Sequence, residues 1–470
     1  MIKKILLIFV CLSLLVPTGF AQAQTPTPIP GPSYIIQPGD TLSSIASRFG
    51  VSLADLMSAN NISDANNISA GAQVVIPGLE GVSGILNTEL VNFGDTLTSI
   101  SRRDQVDQKF LQKINHITSP SELYVGVGVV LPQKDNFTPL THRLVLNKSE
   151  SLLEASVLED TDPWTIALTN GFTGTSNILP GEILYNPVGK DANNESSGLP
   201  PVFEKVSIQP LPLKQGSTSE ITIKTQSGVK LDGMLVDKSL HFFDQENGKG
   251  STALQGIYAL LEPRSYPLRL TATLPDGTTQ SFEQNILVKS ADFPFDPMLN
   301  VDPETIDPAI TTPEENQIAS ITSQATPEKL WQGMFQLPVD AEYCTKSGFG
   351  DRRAYNGGDY LAFHGGLDFG VCSSTHPFDI YAPADGIVVF TGQLVVRGNA
   401  TVIDHGWGIY TGYWHQKEIL VKTGDHVKAG QLIGQIGATG RVTGPHLHWE
   451  VWVNGIQVNP IEWLNNTYPN

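Results

Sequence analysis

From His446 to Val453 the chain alternates strictly, with His446, His448, Glu450 and Trp452 on one parity and Leu447, Trp449, Val451 and Val453 on the other. Successive side chains of a strand point to opposite faces, so this pattern predicts a strand with one apolar face and one polar face carrying two imidazoles. From Lys329 onward, glycines and turn pairs interrupt β-branched runs every few residues, as in "DIYAPADGIVVFTG" and "EILVKTGDHVKAGQLIGQIGATG". Short strands joined by tight turns are the expectation, and they give a mostly-β domain over 330–470. Between 200 and 290, runs such as "SEITIKT" (219–225), "YPLRLTATL" (266–274) and "QSFEQNILV" (280–288) alternate with no helix-period stretch between them. That segment predicts a β-sandwich-like domain, accessory to whatever chemistry the chain performs.

The N-terminal part has a different period. "IIQPGDTLSSIASRFGVSLADLMSANNI", "LVNFGDTLTSISRRDQVDQKFLQKINHI" and "LVLNKSESLLEASVLEDTDPWTIALTNGF" share one pattern, and Asn60, Asn115 and Asn170 are spaced by 55, as are Pro77, Pro132 and Pro187. Strict spacing within one chain signals duplicated structural units, here over 34–78, 86–133 and 141–188. Each copy reads strand-helix-helix-strand. Ser52, Asp107 and Asp162 stand where the second helix needs an N-cap, Ser52 to Asp55 has the capping-box spacing, and Pro163 sits in the first turn. Ile36, Val91 and Leu146, with Leu56, Leu111 and Ile166 and with Ile62, Ile117 and Phe172, recur as core positions. A Pro-rich spacer (24–33) precedes the array. Residues 291–329, with Pro294, Pro297, Pro303, Pro308, Pro313 and Pro327 among acidic residues, read as a linker on the surface or mobile.

Length and termini sharpen this multidomain, α+β plus β picture. At 470 residues the chain exceeds a single core, since domains average about 150 residues. Residues 1–23 have a basic start (Lys3, Lys4), an apolar run from Ile5 to Val16 and Ala21-Gln22-Ala23, the features of a secretory signal peptide cut after Ala23. A retained anchor is the alternative, although the run is shorter than the ~20 residues that span a bilayer. After cleavage no integral membrane segment is expected. Loss of Lys3 and Lys4 leaves 27 basic against 47 acidic residues. Nucleic acid and anionic membrane surfaces, which need a basic footprint, are therefore excluded as partners. The expectation is a secreted or cell-envelope protein, in periplasm or cell wall and monomeric. Of three cysteines, Cys11 leaves with the leader, and Cys344 and Cys372 remain as an expected disulfide in an exported chain.

The chemistry concentrates near the C-terminus, where seven of the ten histidines lie from residue 364 onward. Catalytic zinc sites take three protein ligands and keep a position open for water. "HGGLD" supplies His364 and Asp368, and "HLH" supplies His446 and His448 on one strand face. One histidine and one carboxylate from the first segment, with one histidine from the second, complete a His/His/Asp set and leave one imidazole over for proton transfer. Glu450 shares the face of His448 and is read as a polar groove residue, with an orienting partner of His448 as the alternative. His116, His142, His241, His376, His405 and His426 are read as ordinary surface or core residues.

Two resemblances complete the reading. With "QPGDTL", "IASRFGV", "LMSANNI" and "GAQVVIP", residues 34–77 resemble a LysM domain, a peptidoglycan- and chitin-binding module. The second copy keeps "GDTL" (94–97) and "VVLP" (129–132), a diverged LysM. The third has Ser149-Glu150 for the Gly-Asp pair and ends "LYNP" (184–187), a degenerate one. Residues 342–464 resemble the lysostaphin/LytM-type zinc endopeptidases through "SGFGDRR" (347–353), "HGGLDF" (364–369), "APADGIVV" (382–389), "GYWH" (412–415), "GDHVKAGQLIG" (424–434), "TGPHLHWEV" (443–451) and "VNP" (458–460). The resemblance implies zinc on His364, Asp368 and His448, with His415 and His446 as the catalytic pair. This chain departs from the family in carrying Gln416 after the histidine at 415. The implied function is an exported peptidoglycan hydrolase, a zinc endopeptidase cutting stem peptides or cross-bridges and anchored through N-acetylglucosamine-containing glycan. The alternative is a catalytically inactive wall-binding activator of a separate amidase.

Overall fold

A computed structural model describes residues 31–79, 81–146, 150–174, 178–189, 198–245, 250–340, 343–371 and 378–469. The expected leader, most of the spacer at 24–33, Cys372 and His376 lie outside the described residues. The chain forms two compact units, up to Leu86 and from Asn87 on. Among the described residues no helix is long and apolar enough to cross a membrane.

In the first unit, strands Ser33–Ile35 and Gln73–Val75 pair antiparallel around helices Leu42–Phe49 and Leu53–Ala59. Thr41 and Ser52 cap the two helices as their side chains accept from the amides of Ser44 and Asp55. Asn60 ends the second helix and clamps it to the returning strand. Its Nδ2 donates to the carbonyls of Leu56 (2.8 Å) and Val75 (2.7 Å), and its Oδ1 accepts from the Val75 amide. In the second unit Asn115 makes the same three bonds with Leu111 and Val130, and Asn170 with Ile166 and Tyr185. The 55-residue spacing thus has a physical cause, a side chain that satisfies backbone groups where helix and strand meet out of register.

The second unit continues with two sheets. One orders strands Lys238–Ser239, Lys230–Leu235, Ser265–Thr273, Thr279–Lys289 and Leu213–Lys214; the other Phe243–Asp244, Ser251–Gly256, Thr218–Thr225 and Phe203–Gln209. They enclose Val206, Ile208, Ile221, Ile223, Leu235, Leu268, Leu270 and Ile286. Against this sandwich sits the last domain, where Glu462 Oε2 accepts from the Thr218 amide (2.8 Å) and Trp463 Nε1 donates to Thr218 Oγ1 (3.0 Å).

Four strands of that C-terminal domain carry the site: β1 (Leu367–Val371), β2 (Gly398–Gly406), β3 (Ile409–Ile419) and β4 (His446–Val453). β4 lies between β1 and β3, with β2 beyond β3. Leu447, Trp449, Val451 and Val453 are each 0 % exposed and face the core, as the alternation predicts. The opposite face is not solvated: His448, Glu450 and Trp452 are buried as well, Trp452 in a cluster with Ile318, Val402, Tyr410 and Trp414. The observed class is the expected one, α/β LysM repeats followed by strand-rich domains.

The region 291–329 departs from expectation. It is not a bare linker: it contains helix α1 (Pro308–Thr322), whose Ile318 is fully buried against Val402, Tyr410, Trp414 and Trp452. Asp307 caps α1 by accepting from the Ala309 amide and Pro308 takes the first turn, an N-terminus signature that the proline count concealed. Pro313 lies inside the helix, where it removes the bond its amide would have made.

Candidate metal centre

His364 follows the short strand Ala362–Phe363, and its amide is tied to the Asp351 carbonyl at 2.9 Å. Gly365 and Gly366 then carry the chain over β4. A Cβ on Gly366 would stand 2.1 Å from the Trp449 carbonyl oxygen and one on Gly365 2.3 Å from Gln457 Nε2, so the two glycines serve close approach. The register of β1 on β4 sets Asp368 opposite His448 and Gly370 opposite His446, while β3 sets Trp414 opposite His448. Ligand atoms from His364, Asp368 and His448 therefore converge, all within 4.8 Å of one another.

The hydrogen bonds fix how these groups face each other. His364 Nδ1 is 2.7 Å from the Gly348 carbonyl, which can only accept, so the proton of the neutral ring is on Nδ1 and the lone pair of Nε2 points inward. His448 Nε2 is 2.9 Å from Glu450 Oε1, which directs that N–H outward and leaves Nδ1 facing in. His364 Nε2 and His448 Nδ1 are 2.7 Å apart and lie 3.0 Å and 2.8 Å from the same oxygen, Asp368 Oδ1. Burial, then His448, pushes the His364 pKa below its ordinary value. Burial works to lower His448, but Asp368 and Glu450 raise it. Burial works to raise Asp368, yet hydrogen bonds and charge from the two imidazoles, once an extra proton stands on the nitrogens that face it, hold it well below the usual carboxylate range, and a cation at that point would take the place of that proton. Two nitrogens and a carboxylate oxygen turned on one point make an electron-rich cluster that a cation resolves. Donors around zinc at 2.0–2.2 Å stand about 3.3 Å apart in a tetrahedron, so this set needs to open by only a few tenths of an ångström. The residues present fit zinc.

The other two predicted histidines share the groove. His446 Nδ1 donates to the Gly444 carbonyl (2.8 Å), and its Nε2 is 3.6 Å from Asp368 Oδ1. His415 Nδ1 donates to the Thr439 carbonyl (2.8 Å), and its ring centre is 4.9 Å from that of His446. Burial, then the neighbouring His448 and His446, pushes His415 down to about 3, so it stays neutral. His415 also has φ +63°, a left-handed backbone that a non-glycine residue adopts at a cost and that clusters at functional sites. Its amide donates to the Arg397 carbonyl, and Arg397 is held from α1 by Glu314, whose Oε1 accepts from Nη1 at 2.8 Å. Gln416 turns into the sheet, where its Nε2 donates to Thr401 Oγ1 and to the Tyr413 carbonyl.

Sequence reasoning missed several parts. Of the two readings of Glu450, the 2.9 Å contact with His448 Nε2 favours the alternative, an orienting partner, over a mere groove residue. Arg353 lies 3.5 Å from Asp368 Oδ2 and neutralises the side of that carboxylate away from the histidines; it stood unremarked in "SGFGDRR". The carbonyls of Gly348, Thr439 and Gly444, which fix three tautomers, leave no side-chain signal. Cys344 stands opposite Gly370 across the strand pair, and the expected disulfide with Cys372 falls outside the described residues.

The five groups open on a cavity of about 660 Å³ whose walls include Tyr355, Arg353, Trp414 and Arg441. Residues 362–460 match peptidase family M23, and 34–77 and 90–132 match the LysM domain. The peptidoglycan DD-endopeptidase ShyA of Vibrio cholerae is 41 % identical over 135 residues, 29 % of this chain and 31 % of that one. The DD-carboxypeptidase/endopeptidase Mpg of Neisseria meningitidis is 41 % identical over 98 residues, 21 % of this chain and 22 % of its own. The matched region thus spans less than a third of these relatives' length. A Pseudomonas aeruginosa structure assigned to peptidase M23 superposes with TM-score 0.41 at 25 % identity, covering 55 % of this chain and 96 % of that one. Residues 362–460 are accordingly a peptidase family M23 domain, carried on one chain with LysM domains at 34–77 and 90–132.

Proposed function

We propose that the protein is an exported, zinc-dependent peptidoglycan endopeptidase that cuts stem-peptide or cross-bridge amides in the cell envelope, held to its substrate by LysM-bound N-acetylglucosamine glycan. The observation that carries this reading is the inward turn of His364 Nε2, His448 Nδ1 and Asp368 Oδ1 beside two further imidazoles whose Nδ1–H groups are already engaged. Zinc bound by the three would supply Lewis-acid polarisation of a scissile carbonyl. His446 and His415 each keep Nε2 free to take or share a proton, because Nδ1–H donates to a backbone carbonyl. His446 lies next to Asp368 and is suited to accept a proton from an attacking water and return it to the leaving amine. His415, buried and neutral, is suited to hydrogen-bond the reacting groups without acquiring charge. Fixing both rings in advance removes reorganisation from the chemical step. Linking weak glycan binders to the catalyst raises the local substrate concentration. The substrate class is supported by the name of ShyA, a peptidoglycan DD-endopeptidase, and the reaction type also by that of Mpg, a DD-carboxypeptidase/endopeptidase.

The test is metal content and cleavage together. Purified protein is expected to hold about one equivalent of zinc and to release new amino groups from sacculi. His448→Ala is expected to lose both, whereas His446→Ala keeps zinc and loses cleavage. Full activity in His446→Ala would remove the role given to that ring.

A further inference from the structure

Three arginines face the same groove, and their partners differ. Arg353 is paired with Asp296 at 3.1 Å and lies 3.5 Å from Asp368. Arg397 is paired with Glu314 at 2.8 Å. Arg441 has no carboxylate partner among the described residues. Its Nη1 donates to the Thr305 carbonyl (2.8 Å), and its guanidinium lies over the Tyr355 ring at 4.8 Å. These contacts hold the plane of the fork in place and engage one of its five N–H donors. Burial, together with the like charges of Arg353 and Arg397, lowers its pKa from the ordinary value, though the group stays charged. Glu314 acts on Arg441 in the opposite sense but is already paired with Arg397 at 2.8 Å, so a planar carboxylate from outside is the partner that the remaining donors of the fork suit best. The arrangement is notable in a chain of net charge −18. Arg441 lies five residues before His446, in the loop that delivers that ring to the groove, and both line the cavity.

We propose that Arg441, seated between Tyr355 and the Thr305 carbonyl, is a carboxylate-recognising subsite that selects peptides with a free carboxylate close to the amide to be cut. This rests on reading the groove as a peptidase site and adds the charge of the substrate to it. Helix α1 and the turn before it form the far wall, so the region that composition marked as a linker takes part in recognition. The guanidinium touches the substrate away from the scissile bond, which makes Arg441 a specificity residue.

Two non-hydrolysable cross-linked stem peptides, with the scissile amide replaced by a ketomethylene group, provide the probe. One keeps a free α-carboxylate beside that position and the other carries a primary amide there. Titration calorimetry on the zinc-loaded full chain is expected to show tighter binding of the acid by about tenfold, the worth of one charge-assisted hydrogen-bonded pair. Arg441→Gln should bring the two within about twofold, and Arg441→Lys, which keeps charge but not the fork, should fall between. Equal affinities in the unsubstituted protein, no measurable binding of either, or an undiminished preference in Arg441→Gln would each overturn the subsite. Cleavage of the matching amide peptides is read separately: no cleavage with the preference intact would refute the hydrolase reading and leave the subsite standing.

Discussion

Glu450 offers a demanding test of the metal centre, because it holds His448 without being one of the three residues that would hold the metal. Its Oε1 accepts from His448 Nε2 (2.9 Å) and Gln457 Nε2 (2.8 Å), and its Oε2 from Trp452 Nε1 (3.0 Å). Glu450→Gln conserves shape but leaves one acceptor for donors on two sides. If the amide oxygen takes the Oε1 position, the NH2 group meets the Trp452 N–H. If it takes the Oε2 position, the NH2 group meets His448 and drives the proton of that ring to Nδ1, where a ligand lone pair is needed. Either outcome disturbs the orientation of His448, and loss of such a partner costs about 10- to 100-fold in metal affinity, or roughly 1.4–2.7 kcal/mol. That matches the ~1.5–3 kcal/mol of a hydrogen bond to a charged group. Competition with a chromogenic chelator near neutral pH measures it, with His446→Ala as the control expected to bind zinc like the unsubstituted chain. A Glu450→Gln affinity within about twofold of the original would refute the tautomer argument, and with it the assignment of Nδ1 as the ligand atom of His448.

Two further outcomes follow from buried polar groups. Asn170→Ala removes three hydrogen bonds at a position 4 % exposed; orphaning the Tyr185 amide and carbonyl is expected to cost about 2 kcal/mol and to speed exchange of the Tyr185 amide by about 30-fold, and unchanged exchange would show that the clamp holds nothing. His405 is wholly buried, its Nδ1 donating to the Asp385 carbonyl and its Nε2 accepting from Thr411, and burial pushes its pKa down to about 4. A lowered histidine pKa gives stability that is present above the unfolded value of 6.5 and lost as pH falls from 6.5 toward 4, here about 3 kcal/mol. Burial pushes Glu462 up to about 7, which acts in the opposite sense as pH rises from 4.5 to 7, so the pH slope is read as the difference between the unsubstituted chain and His405→Asn. Identical pH profiles for the two would refute the linkage.

What could be read from the sequence divides by the range of the interaction. Periodicity sufficed for β4, because Leu447, Trp449, Val451 and Val453 need only alternate to face the core, and for the repeats, because capping residues and Asn60, Asn115 and Asn170 act within their own unit. His364, Asp368 and the His446/His448 pair stood out by side-chain type, since imidazole and carboxylate are the groups zinc chemistry requires, whereas His415 entered only through the family resemblance. The tautomers were not legible, because Gly348, Thr439 and Gly444 act through carbonyls that any residue could present. Helix α1 was hidden for another reason: its proline content resembles that of a linker, and its fixed place comes from one buried Ile318 and one buried Glu314 meeting partners about eighty or more residues away. Glu314 binds both backbone and side chain of Arg397, and the Arg397 carbonyl holds the amide of His415 in its left-handed turn. The strained histidine is therefore stabilised through a segment that looked dispensable. Local patterns name the chemical groups here, and long-range contacts decide where their lone pairs point.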